Sequence, residues 1–234
     1  MEQFQIFSLF SLNLTLNNVI FYLIIASSLG IAINLAGTNP KGFIVSSWWF
    51  ILSESLFRSI SVMVHNYIGP KFSIFLPLIY SLFHLILFSN LVGLVPYSST
   101  PTVEIIITIS IALSLLLGIL LFAFLSHHLF VFTAFIPAGT PLGILFLIFP
   151  LEILGYLTKT ISLGLRLGIN MITGHILVKV IIGFIWSAYL NGSSLVLLLP
   201  LLLLTLFLAL ELLIAYLQAY IFTFITCITL KDLL

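Results

Sequence analysis

Apolar residues run along this chain in long unbroken stretches, separated by short groups rich in Gly, Pro, Asn and Ser. About 20 consecutive apolar residues cross the hydrocarbon core of a bilayer as a helix. On that rule the pattern predicts five membrane-embedded helices. The first is 18–36, closed by Gly37-Thr38-Asn39-Pro40. The second, 72–95, follows Gly69-Pro70-Lys71 and ends in Pro96-Tyr97-Ser98-Ser99-Thr100-Pro101. The third is 105–125, with His127 and His128 just beyond it. Pro137, Gly139 and Pro141 make 130–141 a loop or a re-entrant piece. The last third holds 142–190 and 193–230, with Asn191-Gly192 as the turn signal between them. None of these runs alternates every second residue, so a β-barrel is not expected.

One segment has a different pattern. Residues 43–67 mix Trp48, Trp49 and Phe50 with Ser53, Glu54, Ser55, Arg58, Ser59, Ser61 and His65. Glu54 and Arg58 lie one helical turn apart and share a face. The segment predicts an amphipathic helix lying at the interface, with its tryptophans at headgroup level. A poor sixth span is the other reading.

Composition agrees with a membrane protein. The 234 residues are 62% hydrophobic and only 6% charged, and the mean hydropathy is +1.36. A soluble domain carries about 25% charged residues. Seven Lys+Arg against six Asp+Glu leave no basic patch for nucleic acid. The single cysteine, Cys227, rules out an internal disulfide. No glycine-rich loop followed by Lys-Ser/Thr is present, so no nucleotide is expected on this chain. No cofactor is implied. Residues 1–16 contain no Lys or Arg, which predicts no basic signal region or Arg-rich transit peptide.

The basic residues orient the chain. Lys41, Arg58 and Lys71 lie between the first two spans, and Lys231 lies at the C-terminal end. The N-terminus, 96–104 and 191–194 carry no Lys or Arg. The positive-inside rule then puts the N-terminus outside and the C-terminus inside. That requires an odd number of spans, in keeping with five plus one interfacial helix. The expected class is an all-α integral membrane protein with one membrane domain over 1–234.

The last two helices are too long to stand upright. At 1.5 Å per residue, 142–190 reaches roughly 70 Å and 193–230 roughly 57 Å. The hydrocarbon core is about 30 Å thick. Either each is broken, or both form a long, strongly tilted hairpin. Such a hairpin would present a side wall to a curved partner.

These two helices also carry polar and ionisable groups at membrane depth, where each ionised one costs about 2.5–3.5 kcal/mol on insertion scales. The first has Glu152, Lys159, Arg166, Asn170, Thr173, His175 and Lys179; the second has Glu211 and Gln218. Glu152, Lys159, Arg166 and Thr173 recur every seven residues and share a face, with Asn170 one turn from Arg166. His175 lies on the opposite face. So do Gly164 and Gly168, spaced to let another helix approach closely. Glu211 and Gln218 share a face of the second helix. Arginine keeps its proton, so Arg166 acts as a fixed charge that drives a nearby carboxylate to ionise. Glu152, Glu211 and His175 can titrate and relay protons. Blander readings stand beside these. Lys159 and Lys179 can snorkel. His175 and His84 can be packing histidines, and Gln218 a helix-to-helix hydrogen bonder. Glu104 is either an N-terminal helix charge or the mouth of an aqueous path.

At these residues the chain resembles subunit a of the F-type ATP synthases. The stretch SLGLRLGINMITGHILVKV, residues 162–180, carries the resemblance, together with Asn90-Leu91-Val92-Gly93-Leu94-Val95-Pro96-Tyr97-Ser98 and Glu211, Gln218 and Tyr220. It covers the chain from about Gly30 onward. It implies a proton-translocating stator subunit of the membrane sector, not an enzyme on its own, with the last two helices tilted against a ring of c subunits. Arg166 matches the family's essential arginine, which faces the ring carboxylates and separates two half-channels. His175 and Glu211 match the entry half-channel, Glu152 matches a group near the exit, and Asn170 and Gln218 match polar neighbours of the arginine. Glu104 stands near a position where related chains often have histidine. The implied partners are the c-ring, the peripheral stalk, other membrane subunits and lipid, cardiolipin included.

The His175–Glu211 pair is similar to the mitochondrial and α-proteobacterial pattern. It implies a multi-pass protein of the mitochondrial inner membrane, or else a bacterial plasma membrane. The alternatives are a self-contained proton-coupled transporter, for which no internal repeat is found, and a purely structural membrane subunit.

Overall fold

The computed structural model describes residues 6–8, 15–37, 48–69, 74–95, 101–128, 142–190 and 194–233. A two-stranded ribbon comes first: β1 (Ile6–Ser8) pairs antiparallel with β2 (Thr15–Asn17), Phe7 opposite Leu16. Six α-helices follow among the described residues. These are α1 (Asn18–Gly37), α2 (Trp48–Tyr67), α3 (Leu76–Gly93), α4 (Ile105–His127), α5 (Leu142–Leu190) and α6 (Ser194–Leu233). A short 3₁₀ turn, Pro101–Val103, leads into α4. The turn signal at Asn191-Gly192, the loop at 130–141, and Lys41 and Lys71 lie outside the described residues.

Four of these helices are long and apolar enough to cross a membrane: α3, α4, α5 and α6. The apolar part of α1 is shorter, Ile20–Leu35. Between a broken and a continuous last pair, the chain takes the continuous form. α5 is one helix of 49 residues with Pro150 inside it, and α6 is one of 40 with Pro200 inside.

α2 sorts its residues by face. Ile60, Met63 and Val64 are buried, while Glu54, Ser55, Arg58 and His65 are exposed. Its buried face joins a core made by Ile79, Phe83 and Ile86 of α3, Leu163 and Leu167 of α5, and Ala219, Phe222 and Cys227 of α6. α1 packs on α3, α3 on α6, and α5 on both α4 and α6. Polar ties cross these contacts. The Tyr80 hydroxyl donates to Asn34 Oδ1 at 2.7 Å, and Asn90 Nδ2 donates to the Ala215 carbonyl at 3.5 Å. Buried threonines of α5 and α6 turn their hydroxyls onto carbonyls of their own helix, as Thr160 does to Tyr156 and Thr229 to Thr226. This satisfies them where no other partner is near.

Gly164 and Gly168 are where α4 comes closest to α5. A Cβ at Gly164 would lie 3.0 Å from the Thr108 carbonyl oxygen and 3.0 Å from Ile109 Cα. Both are backbone atoms, so the helices would have to part. Gly164→Ala is expected to destabilise the folded protein by about 1–3 kcal/mol, the usual cost of overpacking. Gly183→Ala has nothing within 4 Å and is expected to be neutral or slightly stabilising, since alanine favours helix. Thermal unfolding of the two variants side by side checks this. Equal stability would show that the α4–α5 contact is not tight.

Candidate functional site

The close approach of α4 sets how α5 is turned. With Gly164 and Gly168 facing α4, Arg166 faces away from it and is exposed. Arg166 lies in an open depression of about 510 Å³ with Thr158, Ile161, Ser162, Leu165, Ile169 and Asn170. Every one of these residues belongs to α5. The depression is thus a stripe of one helix face, three and four residues apart, with no facing wall among the described residues.

Asn170 has a second neighbourhood. It also lines a cavity of about 140 Å³ between α5 and α6, with Thr173, Gly174, Phe207, Glu211 and Ile214. Glu211 is buried, only 8% exposed, and its Oε1 has no hydrogen-bond partner. Its carboxylate sits so close to Gly174 that a Cβ there would overlap Oε1. A side chain at Gly174 would displace the carboxylate from this place, while the backbone there is ordinary helix. A buried, unsatisfied carboxylate oxygen beside a cavity is costly unless something polar enters. The arrangement can take up and release a proton from whatever fills that space.

The other candidates distribute around this pair. His175 follows Gly174 in the chain and is half-buried. Gln218 is buried, two turns along α6 from Glu211. α5 and α6 run antiparallel, with Gly174 opposite Glu211, so Gln218 falls at the level of Leu167, beside Arg166 in sequence. Glu152 is half-buried near the start of α5. One turn on, Tyr156 hydrogen-bonds Asp232 in the last turn of α6, and both Glu152 and Asp232 act on it electrostatically. Asp232 was not among the sequence candidates. It follows Lys231 at a helix end, where a charge carries no signal of its own. Glu104 occupies the N-cap position of α4, where its carbonyl accepts from the Ile107 and Thr108 amides at 3.0 and 3.2 Å. Its side chain makes no capping bond and lines neither the depression nor the cavity. His84 is buried and lines neither the depression nor the cavity. Its Nδ1 meets the Tyr80 carbonyl at 3.0 Å, and Nε2 has no partner.

The structure therefore joins Arg166 to Asn170, Asn170 to Glu211, and Glu152 to Asp232 through Tyr156. Among the described residues, no three His, Cys, Asp or Glu side chains come together as a metal site.

The described residues thus form a bundle of long apolar helices with an exposed arginine, a buried glutamate and Asn170 between them. Known proteins place this bundle in a family. The family model described as ATP synthase A chain matches residues 19–231. An ATP synthase subunit a from Mycosarcoma maydis is 36% identical over 99% of this chain and 95% of its own length. One from Zancudomyces culisetae is 38% identical over 99% and 96%, and one from the red alga Chondrus crispus is 39% identical over 100% and 95%. The chain belongs to the ATP synthase A chain family.

Proposed function

We propose that this chain is the proton-channel subunit of the membrane sector of a rotary ATP synthase. The observation that carries the proposal is the open depression around Arg166, walled among the described residues by α5 and linked through Asn170 to the cavity at Glu211. The missing wall is the ring of c subunits, each with a carboxylate at membrane depth.

Protons enter from the outer side past His175 and Glu211 and neutralise a ring carboxylate, with Glu104 near the mouth. The ring turns through lipid. The carboxylate then meets Arg166, whose permanent charge draws it into the ionised form. Asn170 and Gln218 flank that encounter. The released proton leaves on the inner side past Glu152, Tyr156 and Asp232. Because Arg166 keeps its own proton, it bars a direct passage between the two half-channels.

The same reading supplies the membrane geometry. α5 would reach about 70 Å end to end, more than twice the roughly 30 Å core, so α5 and α6 lie strongly tilted as a hairpin along the ring. α1 is the fifth span and α2 lies at the interface with Glu54, Arg58 and His65 toward water. The N-terminus is outside and the C-terminus inside. The protein resides in the mitochondrial inner membrane with the c-ring, the peripheral stalk, other membrane subunits and lipid, cardiolipin included, as neighbours. Native mass measured after gentle detergent extraction tests this. A ring-bearing assembly is expected; a stable lone monomer or homodimer would favour a self-contained transporter.

A further inference from the structure

The buried face of α6 changes character at one residue. Glu211 and Gln218 lie on one side of it, Thr226 and Thr229 on the other. Phe222 stands between them, 2% exposed, the largest fully buried side chain of α6 among the described residues.

Two small cavities meet at Phe222. One, of about 10 Å³, has Phe222 and Leu167 in its wall together with Ser89, Thr102 and Thr108. The other, also about 10 Å³, has Phe222 and Leu163 together with Thr160, Thr226 and Thr229. Each has room for about one water. The remaining walls are mainly apolar. The Thr102 hydroxyl is buried without a partner. The Thr226 and Thr229 hydroxyls donate to carbonyls one turn back, at 2.6 and 2.9 Å. Hydroxyl-bearing residues thus approach Phe222 from both ends of the bundle, on the side of α5 away from Arg166.

We infer that Phe222 is a hydrophobic seal that keeps protons from crossing inside this chain without passing the ring. A proton moves along water only where hydrogen bonds are unbroken, and a narrow apolar constriction breaks the file by excluding water. Phe222 lines both cavities, and Leu163 and Leu167 belong to the same buried core. Removing the phenyl ring joins two separate one-water spaces into a single passage with hydroxyls at both ends. The inference rests on the proton path proposed above.

The test uses vesicles containing the assembled synthase with Phe222→Ala or Phe222→Leu. Passive proton entry under an imposed gradient is measured with and without dicyclohexylcarbodiimide, which attaches to ring carboxylates and stops ring-dependent flow. Assembly is checked by carbodiimide-sensitive ATP hydrolysis. Phe222→Ala is expected to raise the carbodiimide-resistant leak about tenfold, the effect of lowering a barrier by about 1.4 kcal/mol. Phe222→Leu, which keeps an apolar side chain of smaller girth, is expected to raise it less, and carries the test if the alanine variant fails to assemble. A leak equal to the parent's in an assembled variant overturns the seal. So does an added leak that carbodiimide abolishes, because that flow uses the ring. If the parent's own proton flow ignores carbodiimide, the ring-coupled path itself fails and the seal with it.

Discussion

Glu211→Gln is expected to lower proton pumping and ATP synthesis by about 10²-fold, the scale of losing one positioned acid–base group. Glutamine keeps the shape of the side chain, so the contact with Gly174 and the packing of α5 on α6 are retained. What it loses is the ability to take and give a proton. The carboxylate is buried beside a cavity of about 140 Å³, with Oε1 unpaired. That placement leaves it poised to exchange with the cavity's contents. Glu211→Asp, with a shorter reach, is expected to fall between the parent and the glutamine variant. Pumping driven by ATP in vesicles, with assembly checked by subunit composition, gives the measurement. Near-parental pumping by an assembled Glu211→Gln complex would remove Glu211 from the path.

Part of this site could be read from residue spacing. Arg166 and Asn170 are one turn apart, so a helix puts them on one face, and they share one depression. Gly164 and Gly168 lie opposite that face, and there α4 makes its closest approach. Glu211 and Gln218 are two turns apart, and both are buried. Each of these inferences stays within a single helix, where the 3.6-residue period does the work.

Relations between helices were not legible in the same way. The contact of Gly174 with Glu211 depends on how α5 and α6 slide past each other, which periodicity does not fix. The Tyr156–Asp232 hydrogen bond depends on the same register. Phe222 is one of 22 phenylalanines, and nothing in its neighbours along the chain sets it apart. Only the two cavities that meet there do so. The β1–β2 ribbon escaped notice for another reason. Its strands have 3 residues each, too few for an alternating pattern to show.

Arg166 carries the central claim. Its guanidinium is permanently charged and exposed in a depression with no facing wall among the described residues. A fixed charge in a low-dielectric site does two separable things. On the proton path proposed above, it would lower the affinity of an arriving carboxylate for its proton, and it would repel protons or hydronium crossing between half-channels. Removing one preorganised hydrogen-bond donor that stabilises a developing charge costs about 10²–10³-fold in catalysis, and a full charge is expected to matter at least as much. ATP-driven proton pumping should therefore drop by about 10²-fold or more in Arg166→Ala vesicles. Arg166→Lys restores the charge without the planar, permanently protonated fork, and should recover only part of it.

The most direct measurement is made on Arg166→Ala vesicles with the complex shown to be assembled. ATP-driven pumping and passive proton leak are recorded on the same preparation. The account predicts that pumping is lost and that the passive leak rises. Pumping at the parent level would contradict it, and would leave Arg166 as a structural charge on the face of α5.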